Sequence, residues 1–63
     1  MKPEILSKIK AEAFDEGLND TTTDQVLFEA ARAFIDSNVT EELTDDEQTE
    51  ITESYIAGFK SGL

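Results

Sequence analysis

The apolar residues of this chain recur three and four positions apart in three separate stretches, which is the spacing of amphipathic helices. In the first stretch Ile9 and Ala13 share one stripe, and Pro3 suits the first helical turn, where a missing N–H costs nothing. The pattern predicts a helix over residues 3–16. Gly17 is interpreted as a left-handed residue that stops this helix.

The second stretch predicts a helix over residues 23–37 whose apolar face is wider than one stripe. Thr22 and Gln25 fit a capping box at its start. Phe28 and Ile35 lie seven positions apart and widen the apolar face, which is typical of a helix with a second contact surface. We interpret Phe28 and Ile35 as an apolar interface. The alternative is that they complete the core of a single chain.

The third stretch predicts a helix over residues 45–61. Thr44 and Glu47 fit another capping box at its start. The core stripe of this helix repeats every four residues, at Ile51, Tyr55 and Phe59. Together the three stretches predict an all-α fold, a small bundle of three short helices in a single acidic helical domain over residues 1–63.

The short length limits how much core the chain can form. A chain of 63 residues buries only roughly 60% of the surface that it exposes when unfolded. It has no Cys that could add a disulfide or a thiolate metal site. We therefore expect a homodimer in which a second copy completes the core. The first residues contain no apolar run, which predicts neither a signal peptide nor a membrane span, and hence a cytoplasmic protein.

Charge and composition narrow the classes of function. Fifteen acidic and five basic residues give a net charge of −10, which disfavours direct binding to nucleic acid or to anionic membranes. His, Cys and Trp are absent, and the sequence has no phosphate-binding glycine loop or nucleophile motif. We expect no enzyme, no cofactor and no specific metal site, because consecutive carboxylates on a helix point in different directions.

The acidic residues are concentrated in residues 40–53, TEELTDDEQTEITE, where seven of fourteen are Asp or Glu and none is basic. Neighbouring carboxylates on one helix face repel each other and cost stability. We interpret this cluster as a partner-binding surface, the acidic face, formed by Glu41, Glu42, Asp45, Asp46, Glu50 and Glu53. The alternative is a solvated surface that only keeps the chain soluble.

Two functional hypotheses follow from these patterns. The first is a small non-enzymatic protein that docks on a protein partner. In its boldest form it is a nucleic-acid mimic that inhibits a nucleic-acid-binding protein by occupying its basic groove. In size and charge the chain resembles the small acidic accessory proteins that phages and mobile elements encode. The second hypothesis is an apolar-groove or dimerisation module whose acidic residues only confer solubility.

Overall fold

The computed structural model describes residues 1–21 and 24–62, which form three α-helices and one 3₁₀ turn, with no strand among them. The predicted all-α class with three packed helices is confirmed. The elements in chain order are α1, a 3₁₀ turn, α2 and α3, which span Pro3–Asn19, Asp24–Val26, Leu27–Asn38 and Asp45–Ser61.

Helix α1 continues to Asn19 rather than ending near residue 16, so the interpretation of Gly17 as a left-handed stop is wrong. Gly17 is buried inside the helix, and its φ is not positive. A Cβ at this position would lie 2.9 Å from the carbonyl carbon of Tyr55 and 3.0 Å from the amide nitrogen of Phe59. The absence of a side chain therefore lets the backbone of α3 approach α1.

A second glycine makes the same contact from the other helix. A Cβ on Gly58 would lie 2.8 Å from the carbonyl carbon of Phe14 and 3.0 Å from its Cα. Phe14 lies near Gly58 and Leu18 near Gly62, so α1 and α3 run in the same direction. The contact between these two helices is the most extensive in the fold.

Helix α2 packs on α3 and touches α1 very little. It runs antiparallel to α3, since Leu27 shares a depression with Lys60 whereas Ile35 shares one with Gln48. The rings of Phe34 and Tyr55 meet with their centroids 6.0 Å apart. The buried core draws on all three helices and consists of Ile9, Ala13, Leu27, Ala31, Phe34, Ile35, Ile51, Tyr55 and Phe59.

The two ends of α2 differ in how well the sequence predicted them. At the start, residues 24–26 form a 3₁₀ turn and the α-helix begins only at Leu27, later than predicted. The capping box predicted at Thr22 lies outside the described residues. At the other end α2 stops at Asn38, whose Nδ2 donates a hydrogen bond of 2.9 Å to the carbonyl oxygen of Phe34.

The size of the molecule agrees with that of a folded single chain. Its radius of gyration is 10.8 Å, close to the roughly 10.6 Å that the scaling of folded domains gives at this length. Ile35 is part of the core, with 6% of its surface exposed, whereas Phe28 is 67% exposed. Of the two residues interpreted as an apolar interface, only Phe28 therefore lies on the surface of the chain. The homodimer stays a prediction.

Candidate protein-binding surface

The beginning of α3 is fixed by local sequence. Glu47 N donates to Thr44 Oγ1 at 3.2 Å, and Thr44 N donates to Glu47 Oε1 at 2.9 Å. The predicted capping box is thereby confirmed, and it gives α3 its predicted bounds. Because the helix dipole favours negative charge in the first turn, this end of α3 holds acidic residues at low cost.

Glu47 is held in its charged form by this arrangement. The backbone N–H of Thr44 is the largest of the causes that lower the pKa of Glu47 below its ordinary value of 4.5. The amino group of Met1 lies 3.2 Å from Glu47 Oε2 and lowers this pKa further. Glu47 therefore caps α3 and pairs with the amino group of Met1, which leaves it less available to other molecules than the six residues of the acidic face.

All six residues of the acidic face lie on the surface. Glu41 and Glu42 are exposed in the segment between α2 and α3, and the other four are exposed on α3 itself. On α3, Asp46, Glu50 and Glu53 follow each other at spacings of four and three residues, so neighbouring carboxylates are about 5–6 Å apart at their Cβ atoms. A rigid helix thus presents a row of negative charges to solvent.

One basic residue from another helix partly neutralises this row. Lys10 Nζ on α1 lies 3.7 Å from Glu50 Oε1, with both side chains partly exposed. The sequence has no basic residue between Ile35 and Phe59, so this pair depends on the parallel packing of α1 and α3. An exposed pair of this kind contributes about 0–1 kcal/mol. The row of acids is therefore less uniform than the linear sequence suggests.

The connector end of the acidic face borders a polar depression of about 390 Å³. Glu41 and Glu42 line it together with Arg32 of α2. Arg32 Nε lies 3.9 Å from Asp36 Oδ1 on the same helix, which is the local pairing that the sequence spacing favours. This end of the acidic face therefore has a cation beside it.

The carboxylates of Asp45, Asp46 and Glu53 form no ion pair with a basic side chain in the described part of the chain.

The other side of α3 borders an apolar groove, which we call the Phe28 groove. Its volume is about 500 Å³. Phe28 of α2 and Ile56 of α3 supply its apolar surface, and two residues of the acidic face, Asp45 and Glu53, line it as well. Phe28 is the most exposed large hydrophobic side chain among the described residues. The sequence pattern identified Phe28, but it did not show that the acidic face and the apolar surface adjoin.

Tyr55 is the one buried side chain with a titratable group among the described residues, and it has a structural partner. Its hydroxyl donates a hydrogen bond to Asp20 Oδ2 at the end of α1. Burial is the largest cause that raises the pKa of Tyr55 to about 12, and the hydrogen bond to Asp20 adds to it. This hydroxyl links the end of α1 to α3. It lies outside the acidic face and the Phe28 groove.

Within residues 1–21 and 24–62, no group of three or more His, Cys, Asp or Glu side chains is arranged to hold a metal ion. In the same part of the chain, no helix has the length and apolar character needed to cross a membrane. Comparisons with protein-family models, with curated proteins and with solved structures find no match to this chain.

Proposed function

We propose that this chain is a non-enzymatic binding protein that docks on a basic surface of a protein partner through its acidic face. The observation that carries the proposal is the set of exposed carboxylates at Asp45, Asp46 and Glu53, which lack a basic partner within the described residues. Like charges so close together on one helix are unfavourable for folding. A cationic partner surface would remove that repulsion on binding.

The boldest form of the proposal is an inhibitor that mimics nucleic acid. Proteins that bind nucleic acid use Lys and Arg to neutralise regularly spaced phosphates. The row of carboxylates along α3 offers negative charges on a rigid rod, which suits such a groove. The net charge of −10 would speed association with a basic protein and make the binding sensitive to salt.

A capture experiment with matched variants tests the proposal. The protein is immobilised, exposed to a lysate of the cells that express it, and eluted with rising salt. The first variant combines Asp45→Asn, Asp46→Asn and Glu53→Gln. The control removes the same charge elsewhere, with substitutions of three exposed residues that lie outside the acidic face, Glu4→Gln, Glu12→Gln and Glu29→Gln.

The two triple variants give opposite expectations. Proteins that bind the acidic face should be retained by the wild type and by the control, released at moderate salt, and lost from the first variant. Enrichment of nucleic-acid-binding proteins among them would support the inhibitor form. If the first variant retains the same proteins as the wild type, the acidic face is not the binding surface. Circular dichroism of each variant establishes that its helices are intact.

The exposure of Phe28 supports a second candidate function, an apolar-groove or assembly module. In that case the groove would bind a partner helix or a second copy of the chain, and the acidic residues would only confer solubility. Salt separates the two candidates, because apolar association persists or strengthens at high salt whereas docking of charged surfaces weakens.

A further inference from the structure

The apolar and the acidic surfaces of this molecule form one continuous site. Phe28 lies in the first turn of α2, where it is 67% exposed, while its neighbour Leu27 is only 3% exposed. Across the groove lie Ile56, which is half-buried, and the methyl-bearing Thr49 and Thr52. A groove of about 500 Å³ falls within the range of sites that accept ligand groups.

The charges around this groove have a defined order along α3. Asp45 and Glu53 both line it and are eight residues apart, which corresponds to about 12 Å along a helix axis. Ile56 lies beyond Glu53, and Lys60 lies one turn further, in an adjoining depression that it shares with Phe28 and Ile56. Carboxylates therefore line the groove at one end and along its middle, and a cation lies beyond its other end.

We infer that the Phe28 groove binds an amphipathic helix of the partner protein, with an apolar side chain seated on Phe28 and Ile56 and with Lys or Arg residues paired to Asp45 and Glu53. This inference rests on the proposed function and adds the apolar anchor to it. The spacing of about 12 Å between the two carboxylates matches cationic residues seven or eight positions apart on the partner helix. The apolar anchor then lies about three positions beyond the cation that pairs with Glu53, since Ile56 follows Glu53 by that number on α3.

Charge decides against a second copy of this chain as the occupant. In a two-fold symmetric dimer the same patch of each copy meets the other, so the four carboxylates of the two grooves would meet only the two Lys60 side chains beside them. Each chain also carries a net charge of −10. A basic helix removes both sources of repulsion. The partner chemistry that fits the groove is therefore a cationic amphipathic segment.

Synthetic peptides test this inference with defined probes. The first peptide is a helix of Ala, Lys and Leu, with two Lys about eight residues apart and a single Leu about three residues beyond one of them, as the order of Asp45, Glu53 and Ile56 requires. The second has the same composition in scrambled order, so that its charge is equal but the Leu and the two Lys lack this spacing. Binding is measured by fluorescence anisotropy, and amide shifts of the labelled protein locate the contact. The variant Phe28→Ala is compared with Ile5→Ala, which truncates an exposed apolar residue outside the groove.

The ordered peptide should bind the wild type more tightly than the scrambled one and shift the amides of Thr49, Thr52 and Ile56. Phe28→Ala should weaken its binding about ten-fold, because a buried aromatic contact is lost. Ile5→Ala should leave it unchanged. Since Phe28 is exposed, its truncation should not disturb the fold, and circular dichroism checks this.

The remaining outcomes overturn the inference in distinguishable ways. If Phe28→Ala binds the ordered peptide as the wild type does, or if both peptides bind equally, the groove is not an apolar anchor. If the variant with Asp45→Asn, Asp46→Asn and Glu53→Gln still loses the captured proteins, the proposed function is retained. If neither peptide binds, the inference fails, and the capture experiment judges the proposed function separately. A wild-type dimer in sedimentation that dissociates on Phe28→Ala would assign the groove to a second copy.

Discussion

Replacing Gly17 by Ala gives the sharpest test of how α1 and α3 pack. In an isolated helix this change stabilises by about 1 kcal/mol, because Ala is the better helix former. In the folded chain the added Cβ would overlap the carbonyl oxygen of Tyr55, its nearest neighbour, and would lie 2.9 Å from the carbonyl carbon of that residue. Carbon atoms pack best at about 3.5–4.0 Å, so the helices must separate by at least roughly 0.6–1 Å, and by more to clear the oxygen.

The neighbouring atoms cannot relieve this clash by rotating. The carbonyl carbon of Tyr55 and the amide nitrogen of Phe59, which is 3.0 Å from the added Cβ, both belong to the backbone of α3. Separating the helices by that distance forfeits about a quarter to a half of the dispersion energy at each affected contact. Overpacking of this kind costs about 1–3 kcal/mol and sometimes more.

Because the clash is with backbone atoms, the overpacking cost should lie at the upper end of this range, about 3 kcal/mol. After the gain of about 1 kcal/mol in helix propensity, Gly17→Ala should destabilise the chain by about 2 kcal/mol. A single core of this size supplies only about 3–5 kcal/mol, so the loss is a large part of the total. In a domain this small, it should lower the melting temperature by about 8–16 °C. Thermal unfolding followed by circular dichroism measures the change.

Two control variants separate packing from helix propensity. Ala57→Gly on the exposed side of α3 should cost about 1 kcal/mol through propensity alone. Gly62→Ala should cost less than Gly17→Ala, since the added Cβ would meet the Leu18 carbonyl oxygen at 2.9 Å at the end of a helix, where the chain can shift. If Gly17→Ala instead raises the melting temperature, the close approach of α1 and α3 is refuted.

Three further expectations concern capping, titration and salt. Thr44→Ala should lower stability by about 1 kcal/mol in chemical denaturation, through loss of the cap on α3; an unchanged midpoint would contradict the role of this capping box. Tyr55 is the only Tyr, so ultraviolet absorbance reports its titration alone, and its midpoint should be about 12 in the folded protein against 10.0 for an ordinary Tyr. Because folding raises the pKa of Tyr55, the stability linked to its protonated hydroxyl is full below pH 10 and is lost as the pH rises toward 12. Asp20→Asn should lower the titration midpoint of Tyr55, while burial should keep that midpoint above 10. Added NaCl should raise the melting temperature, because it screens repulsion within a chain of net charge −10, and a decrease would contradict that repulsion.

The features that the sequence predicted correctly depend on neighbouring residues. The capping box of Thr44 and Glu47 is a local signal, and the bounds of α3 follow from it. The predicted end of α1 was wrong because the role of Gly17 depends on its contact with the backbone of α3, about forty positions later in the chain. A glycine that ends a helix and a glycine that admits another helix have the same local surroundings.

The candidate site, too, could be predicted from the sequence only where local pattern determines it. Phe28 and Ile35 occupy equivalent positions on α2, and periodicity cannot distinguish them. Ile35 is buried, and Val39 and Leu43, in the segment that follows α2, lie beside it, whereas Phe28 at the other end is 67% exposed among the described residues. The pair of Lys10 and Glu50 likewise requires the packing of α1 beside α3.

Because α1 is synthesised before α3, the contact between these two helices cannot form until late in synthesis. Helix α1 leaves the ribosome before α2 and α3, and its main partner is α3. Until residues 55–59 emerge, Gly17 only weakens the nascent helix, by about 1 kcal/mol relative to Ala. Contacts between distant parts of a chain also slow folding. The close contact that Gly17 permits in the finished molecule therefore cannot form until α3 has been made, and α1 meets its main partner only then.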